Sequence, residues 1–135
     1  MKSIHAIGRA ALIVFSGLLT LAILSACGKP ESPYVFVAVQ SEIPMNGEAI
    51  VDVRLVHQPS GKPVESAVIF ETRFDMDPES MGGMAAPVTA QGSPAPGVYR
   101  FMVAPTMAGR WALKLSAKVQ GETETVTGSV VVTVR

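Results

Sequence analysis

The chain has 135 residues, one cysteine, and eleven basic against eleven acidic side chains, for a formal net charge of zero. With no basic patch in that balance, nucleic acid is excluded as a natural partner, and the length suits one domain with a modest core rather than two. A lone cysteine forms no intrachain disulfide, so core packing alone has to hold the fold together.

The N-terminus carries an address. Lys2 and Arg9 flank a short polar start, an apolar run follows over residues 10–24, and Leu24-Ser25-Ala26-Cys27 closes it. This is a basic n-region, an apolar h-region and a small-residue cleavage site. A cysteine directly after Leu-Ser-Ala resembles the lipobox of bacterial lipoproteins, which implies removal of residues 1–26 and acylation of Cys27. The apolar run is shorter than the ~20 residues a membrane span needs. Two or more acyl chains, at about 0.8 kcal/mol per buried CH₂, anchor stably where one does not. Gly28 rather than Asp after the cysteine points to the outer rather than the inner membrane of a Gram-negative envelope, with the domain on the periplasmic face. Losing Lys2 and Arg9 leaves nine basic against eleven acidic residues, a net charge of −2. Residues 27–33, with Pro30 and Pro33, read as an acylated residue and a polar tether of about 15–20 Å.

From Tyr34 onward the apolar period is two. Residues 34–39 form a continuous apolar strand. Ala49, Val51, Val53 and Leu55 alternate with Asp52 and Arg54, and residues 59–63 form a turn. Val68, Phe70, Thr72 and Phe74 alternate with Glu71 and Arg73. Residues 75–86 are expected to form a long loop, 87–90 a short strand, and 91–97 a turn rich in Gly and Pro. A strand over 98–103 and a tight connection over 104–109 lead to the clearest alternation, in which Trp111, Leu113, Leu115, Ala117 and Val119 oppose Arg110, Lys114, Ser116 and Lys118. Gly121 and Glu122 turn the chain into a last strand over 126–134. About seven strands at roughly ten-residue spacing predict an all-β, immunoglobulin-like antiparallel sandwich over residues 34–135. Trp111 is expected between the sheets, surrounded by Phe36, Phe70, Phe74, Tyr99, Phe101, Leu113 and Leu115.

The unusual segment is 75–84, which packs Met76, Met81 and Met84 among Asp75, Asp77 and Glu79. Thioether sulfur selects Cu(I), whereas carboxylate oxygens suit Ca²⁺ or Mg²⁺. Gly82 and Gly83 let the backbone fold so that Met81 and Met84 converge with Met76, and Met107 joins them from the 104–109 connection. The competing reading has these methionines as gap-filling side chains under a loop. Asp75, Asp77 and Glu79 lack the glycine and terminal glutamate of a calcium loop, having Ser80 and Ala86 there instead. His57 is read as an edge residue. No free thiol, Ser–His–Asp set or phosphate-cradling loop is present, so the chain is not expected to be an enzyme.

Two stretches carry a family resemblance. Pro96-Gly97-Val98-Tyr99-Arg100-Phe101, followed by Pro105-Thr106-Met107-Ala108-Gly109-Arg110-Trp111-Ala112-Leu113-Lys114-Leu115, resembles the YtkA-like domain, which is related to FixH-like proteins. The resemblance covers roughly residues 34–134. It implies an extracytoplasmic immunoglobulin-like sandwich, often lipid-anchored, that accompanies heavy-metal efflux or oxidase-assembly systems. By position it implies Met76, Met81, Met84 and Met107 as ligands. The loop has no histidine, which leaves Cu(I) as the soft-metal option. The expected role is a non-catalytic Cu(I)-handling accessory of an efflux or assembly system; the alternative is a metal-free adaptor docking on an envelope protein complex.

Overall fold

The computed structural model describes residues 28 and 31–135; the expected signal sequence and Cys27 lie outside them. Ten strands and one short 3₁₀ helix follow in chain order: β1 (Tyr34–Ala38), β2 (Glu42–Ile43), β3 (Ala49–His57), β4 (Lys62–Pro63), β5 (Ala67–Met76), the 3₁₀ turn (Asp77–Glu79), β6 (Met81–Ala86), β7 (Val88–Ala90), β8 (Val98–Val103), β9 (Gly109–Val119) and β10 (Val126–Val134). One sheet runs β1-β3-β8-β7, with β4 beside β3, and the other β2-β10-β9-β5-β6. That is the order of an immunoglobulin-like sandwich, with one sheet of A-B-E-D type facing one of A′-G-F-C-C′ type. The ladders are antiparallel except for β2 against β10, which is parallel.

The chain changes sheets five times, and two of these crossings shape the sides of the sandwich. Between β1 and β2 it passes from the first sheet to the second, which closes one side of the sandwich. Between β6 and β7 it crosses back at Pro87, where a missing N–H costs no ladder bond. The expected loop over 75–86 is corrected here: residues 74–76 continue β5, and 81–86 pair with them as β6. Methionine, glycine and alanine carry little strand preference, so the residues there do not announce a strand. Pairing with the end of β5 supplies the backbone partners that the composition does not advertise.

The period-two pattern places the core as expected. Phe36, Val51, Val53, Leu55, Phe101 and Val103 from one sheet meet Phe74, Trp111, Leu113, Leu115, Val130 and Val132 from the other, all buried. Trp111 is fully buried and stacks on Phe74, with ring centroids 4.8 Å apart and planes inclined by 20°. Gly128 on β10 lets the sheets approach, because a Cβ there would lie 2.7 Å from Cδ2 of Phe36.

Two expected neighbours of Trp111 sit elsewhere. Phe70 is 56% exposed. The β5–β9 register shifts between Ile69 and Glu71, so a bulge turns Phe70 and Glu71 together toward solvent and restarts the alternation at Thr72. Tyr99 is half-buried, and its hydroxyl donates to the Val64 carbonyl at 2.7 Å while accepting from the Ala67 N–H at 3.1 Å.

Removing the buried indole leaves a cavity that the two sheets cannot fully close. Trp111→Ala is expected to lose about 3–5 kcal/mol, read as a shift in the urea midpoint, whereas Phe70→Ala at the exposed bulge should move it by no more than about 0.5 kcal/mol. Equal effects of the two substitutions would contradict this packing.

Candidate functional site

Chain direction gives the sandwich two unlike ends. Tyr34, where the tether joins β1, pairs with His57 at the end of β3. β5 ends and β9 begins at the opposite end, as the antiparallel register of these strands requires. The eleven residues of β9 set the two ends about 35 Å apart, at roughly 3.3 Å per residue. Met76 closes β5, Met81 lies directly across from it at the start of β6, and Met107 precedes β9 by two residues. All three therefore belong to the tether-distal end. Met84 follows in β6, within the irregularity that separates the Met76–Met81 pair from the Asp75–Ala85 pair.

A fixed turn makes the hairpin. Pro78 sits in the first turn of the 3₁₀ helix, where its φ is suitable and its missing N–H harmless. Ser80 ends the turn in the left-handed region (φ 60°, ψ 26°), and its N–H donates to the Asp77 carbonyl at 2.8 Å. Holding a non-glycine residue there costs about 1–2 kcal/mol, so contacts around the turn must offset it.

Those contacts are charged. The Asp75 side chain has no exposed surface. Its Oδ2 accepts from Arg73 Nε at 2.6 Å and from Lys114 Nζ at 3.1 Å, and its Oδ1 accepts from the Asp77 N–H at 3.1 Å. Lys114 Nζ also lies 3.3 Å from Asp77 Oδ2. Burial pushes the Asp75 carboxyl up, but the hydrogen bonds from Arg73, Lys114 and the Asp77 N–H outweigh it and hold the group below the usual carboxylate range. Arg73 Nη2 donates onward to the Gly82 carbonyl at 2.7 Å, which ties β6 to the same cluster. On the far side of the turn, Arg110 donates from Nε to Glu79 Oε1 at 3.0 Å and from Nη2 to the Pro78 carbonyl at 2.8 Å. The first of these hydrogen bonds lowers the Glu79 carboxyl as well.

The methionines divide under this clamp. Met76 is sealed in the core, and its Cε lies 2.8 Å from where a Cβ on Gly109 would stand. With φ at +135°, a backbone conformation that other residues rarely adopt, position 109 favours glycine. Met81, Met84 and Met107 are 41%, 42% and 38% exposed. The Met107 carbonyl accepts from Trp111 Nε1 at 3.0 Å, so the core indole fixes the backbone that carries this exposed thioether. Met45, which the sequence reading did not single out, is 42% exposed in the β2–β3 connection, and its N–H is held by the Arg135 carbonyl at 2.7 Å. β3 begins and β10 ends at the tether-distal end, so Met45 belongs there too. Its signal in the sequence is an apolar side chain placed in the turn-forming run Pro44-Met45-Asn46-Gly47.

The remaining candidates resolve plainly. Asp75, Asp77 and Glu79 are each engaged by a cation of the protein, and among the described residues no group of three or more His, Cys, Asp or Glu side chains is arranged to hold a metal ion. His57 lies at the tether end, with Nδ1 2.8 Å from Ser60 Oγ and its ring 5.2 Å from that of Tyr34.

A family model described as YtkA-like matches residues 29–116. No curated protein matches the chain. Among solved structures, the chain is similar to the ZirS C-terminal domain, at 12% identity and a TM-score of 0.45, over 100% of this chain and 87% of that one. It is also similar to the Lin-41 filamin domain, at 14% identity and a TM-score of 0.46, over 76% of this chain and 92% of that one.

The buried carboxylate makes the hairpin sensitive to acid. Because folding lowers the Asp75 pKa, its stabilisation is present above the unfolded value of about 3.9 and is lost as pH falls through the folded value. Asp75→Asn is expected to cost about 1–3 kcal/mol at pH 7. The gap between wild type and variant, measured by urea denaturation, should narrow as pH is taken below about 4. A gap that stays constant between pH 7 and pH 3 would show that the charge on Asp75 does not hold the turn.

Proposed function

The chain belongs to the YtkA-like family, and on that premise we propose that it is a lipid-anchored, non-catalytic module of the bacterial envelope that takes Cu(I) as cargo at its tether-distal end. The observation that carries this reading is the exposure of three thioethers, Met81, Met84 and Met107, at the one end of the sandwich where Met45 is exposed as well. Methionine is among the residues most often buried; the hairpin of the ion-paired turn carries Met81 and Met84 outside, and the Trp111 hydrogen bond fixes the backbone that carries Met107. The donor chemistry agrees. The turn's carboxylates are committed to Arg73, Lys114 and Arg110, so hard cations find no free oxygen set. Soft sulfur remains, and it selects Cu(I) over Ca²⁺ or Mg²⁺. Met76 does not fit as a ligand, being sealed beneath Gly109. The ligands are Met81, Met84 and Met107, with Met45 at the same end.

Acyl chains on Cys27 would place the tether end of the domain nearest the bilayer. The thioethers then stand away from the membrane, where an efflux or oxidase-assembly machine can exchange metal with them. Gly28 after the cysteine favours the outer membrane. A second reading, a metal-free adaptor, is favoured by a separate observation: Val68 and Phe70 are exposed along one strand.

Anaerobic titration of Cu(I) against a competing chelator is expected to give one equivalent bound more tightly than about 1 μM. Met81→Leu with Met84→Leu should weaken it at least about tenfold while leaving the unfolding midpoint in place. Binding weaker than micromolar, or an unchanged affinity in the double variant, would reject the metal reading. Separately, Cys27→Ser should move the protein from the membrane pellet to the soluble fraction, since no acyl chain then holds it. Retention in the pellet would reject the anchor.

A further inference from the structure

The two sides of the sandwich are not closed alike. On one side the chain switches sheets between β1 and β2 and covers the gap. On the other, β6 pairs with β5 only at Phe74, Asp75 and Met76 before crossing at Pro87. Among the described residues, 67–73 of β5 therefore have β9 on one flank and no strand on the other. At the start of this run the Ala67 N–H is taken by the Tyr99 hydroxyl. Beyond it the edge is free, and an edge strand offers its N–H and C=O groups to any extended chain that lies alongside.

Three further observations describe what would lie there. First, a groove of about 280 Å³ runs between β5 and the β7–β8 pair, with Ala67, Ile69, Ala90, Tyr99 and Phe101 among its walls. Second, Val68 and Phe70, on the opposite face of the same edge, are 65% and 56% exposed. A strand added here would set alternate side chains into the groove and the others beside Val68 and Phe70, so its own residues must be apolar on both faces at this point. Third, the free charges along the edge are acidic. Glu65 lines the groove and Glu71 follows the bulge, and neither is in an ion pair among the described residues. Lys118, across from Val68, is turned to the Thr123 carbonyl at 3.2 Å.

We infer that the free edge of β5 is a docking site for an extended segment of a partner protein, apolar in its middle and basic at its ends, which adds as a strand beside residues 68–72. A second copy of this chain fits less well. A two-fold pairing centred on Phe70 would set the bulge against its own image and bring Glu71 close to its own counterpart. The inference does not rest on the methionine end, which lies past the free edge, where β5 is paired with β6.

The test uses the acylated or detergent-solubilised full chain and a blocked nine-residue peptide that alternates valine and leucine between terminal lysines. Binding is expected in the range of about 10–100 μM, with amide exchange slowed at residues 68–72. The same peptide N-methylated at alternate backbone nitrogens should bind at least about tenfold more weakly, and so should a version with glutamates in place of the lysines. Val68→Lys with Phe70→Lys should abolish binding with no change in unfolding midpoint. If that variant does not fold, Glu71→Lys serves instead, and it should weaken the lysine-ended peptide and strengthen the glutamate-ended one. Binding weaker than millimolar, protection outside residues 65–73, or indifference to N-methylation would overturn the proposal. Concentration-dependent dimers whose protected amides map to 68–72 would overturn it in favour of self-association. Loss of Cu(I) binding without loss of peptide binding leaves this site standing and removes the metal reading alone.

Discussion

Three consecutive residues of β5 join the core to the distal end. Phe74 faces inward and stacks on Trp111, Asp75 faces outward into the cations of Arg73 and Lys114, and Met76 faces inward beneath Gly109. Their alternation is the ordinary strand period, but each contact reaches β9. The stack supplies apolar burial and the carboxylate supplies direction, since Asp75 leaves no buried polar side-chain atom without a partner. A charge with no exposed surface is costly when unpaired. It therefore admits few arrangements of the turn that follows, and the turn decides which methionines are inside.

Trp111 extends that constraint to the neighbouring connection. Its ring fills the centre, and its one polar atom reaches the Met107 carbonyl. Buried indoles generally satisfy their N–H. Here the satisfaction fixes the backbone that presents Met107. Core packing and surface display are thus one arrangement at this end, and the exposed thioethers stand on backbone held by the indole and the ion pairs.

Much of this was legible from the residues. The strands over 34–39, 98–103, 111–119 and 126–134 follow from alternation, and Trp111 at the centre follows from its size. Two features were hidden for stated physical reasons. The bulge at Phe70 reverses the in–out pattern within one strand, so a strict period of two assigns Phe70 to the core when it faces solvent. The hairpin after Phe74 uses methionine, glycine and alanine, whose strand character comes from a pairing partner and not from their own preference. The site was legible in part. The methionines stood out by their number in a short acidic stretch, but nothing in their spacing separates Met76 from Met81 and Met84. That separation depends on Gly109, thirty-three positions away, leaving room for the Met76 methyl group. The acidic residues looked like candidate ligands because their cations, Arg73, Lys114 and Arg110, are spread over two strands and meet them only in the fold.

The same geometry explains why the sandwich offers two surfaces rather than one. β6 is short because the chain must cross to the other sheet at Pro87, and the crossing both tightens the distal turn and uncovers the lower part of β5. A longer β6 would hide residues 67–73 and lengthen the hairpin that carries Met81 and Met84. Closing the edge and holding the turn compact therefore compete for the same six residues. The bulge at Phe70 bears on this competition, because bulges are one way proteins blunt an exposed edge. Here it blunts nothing chemically. It turns an aromatic ring outward beside an exposed valine, and Glu71 is the charge that follows them in the strand. An edge protected against association would carry lysine or proline at those positions, and this one carries neither.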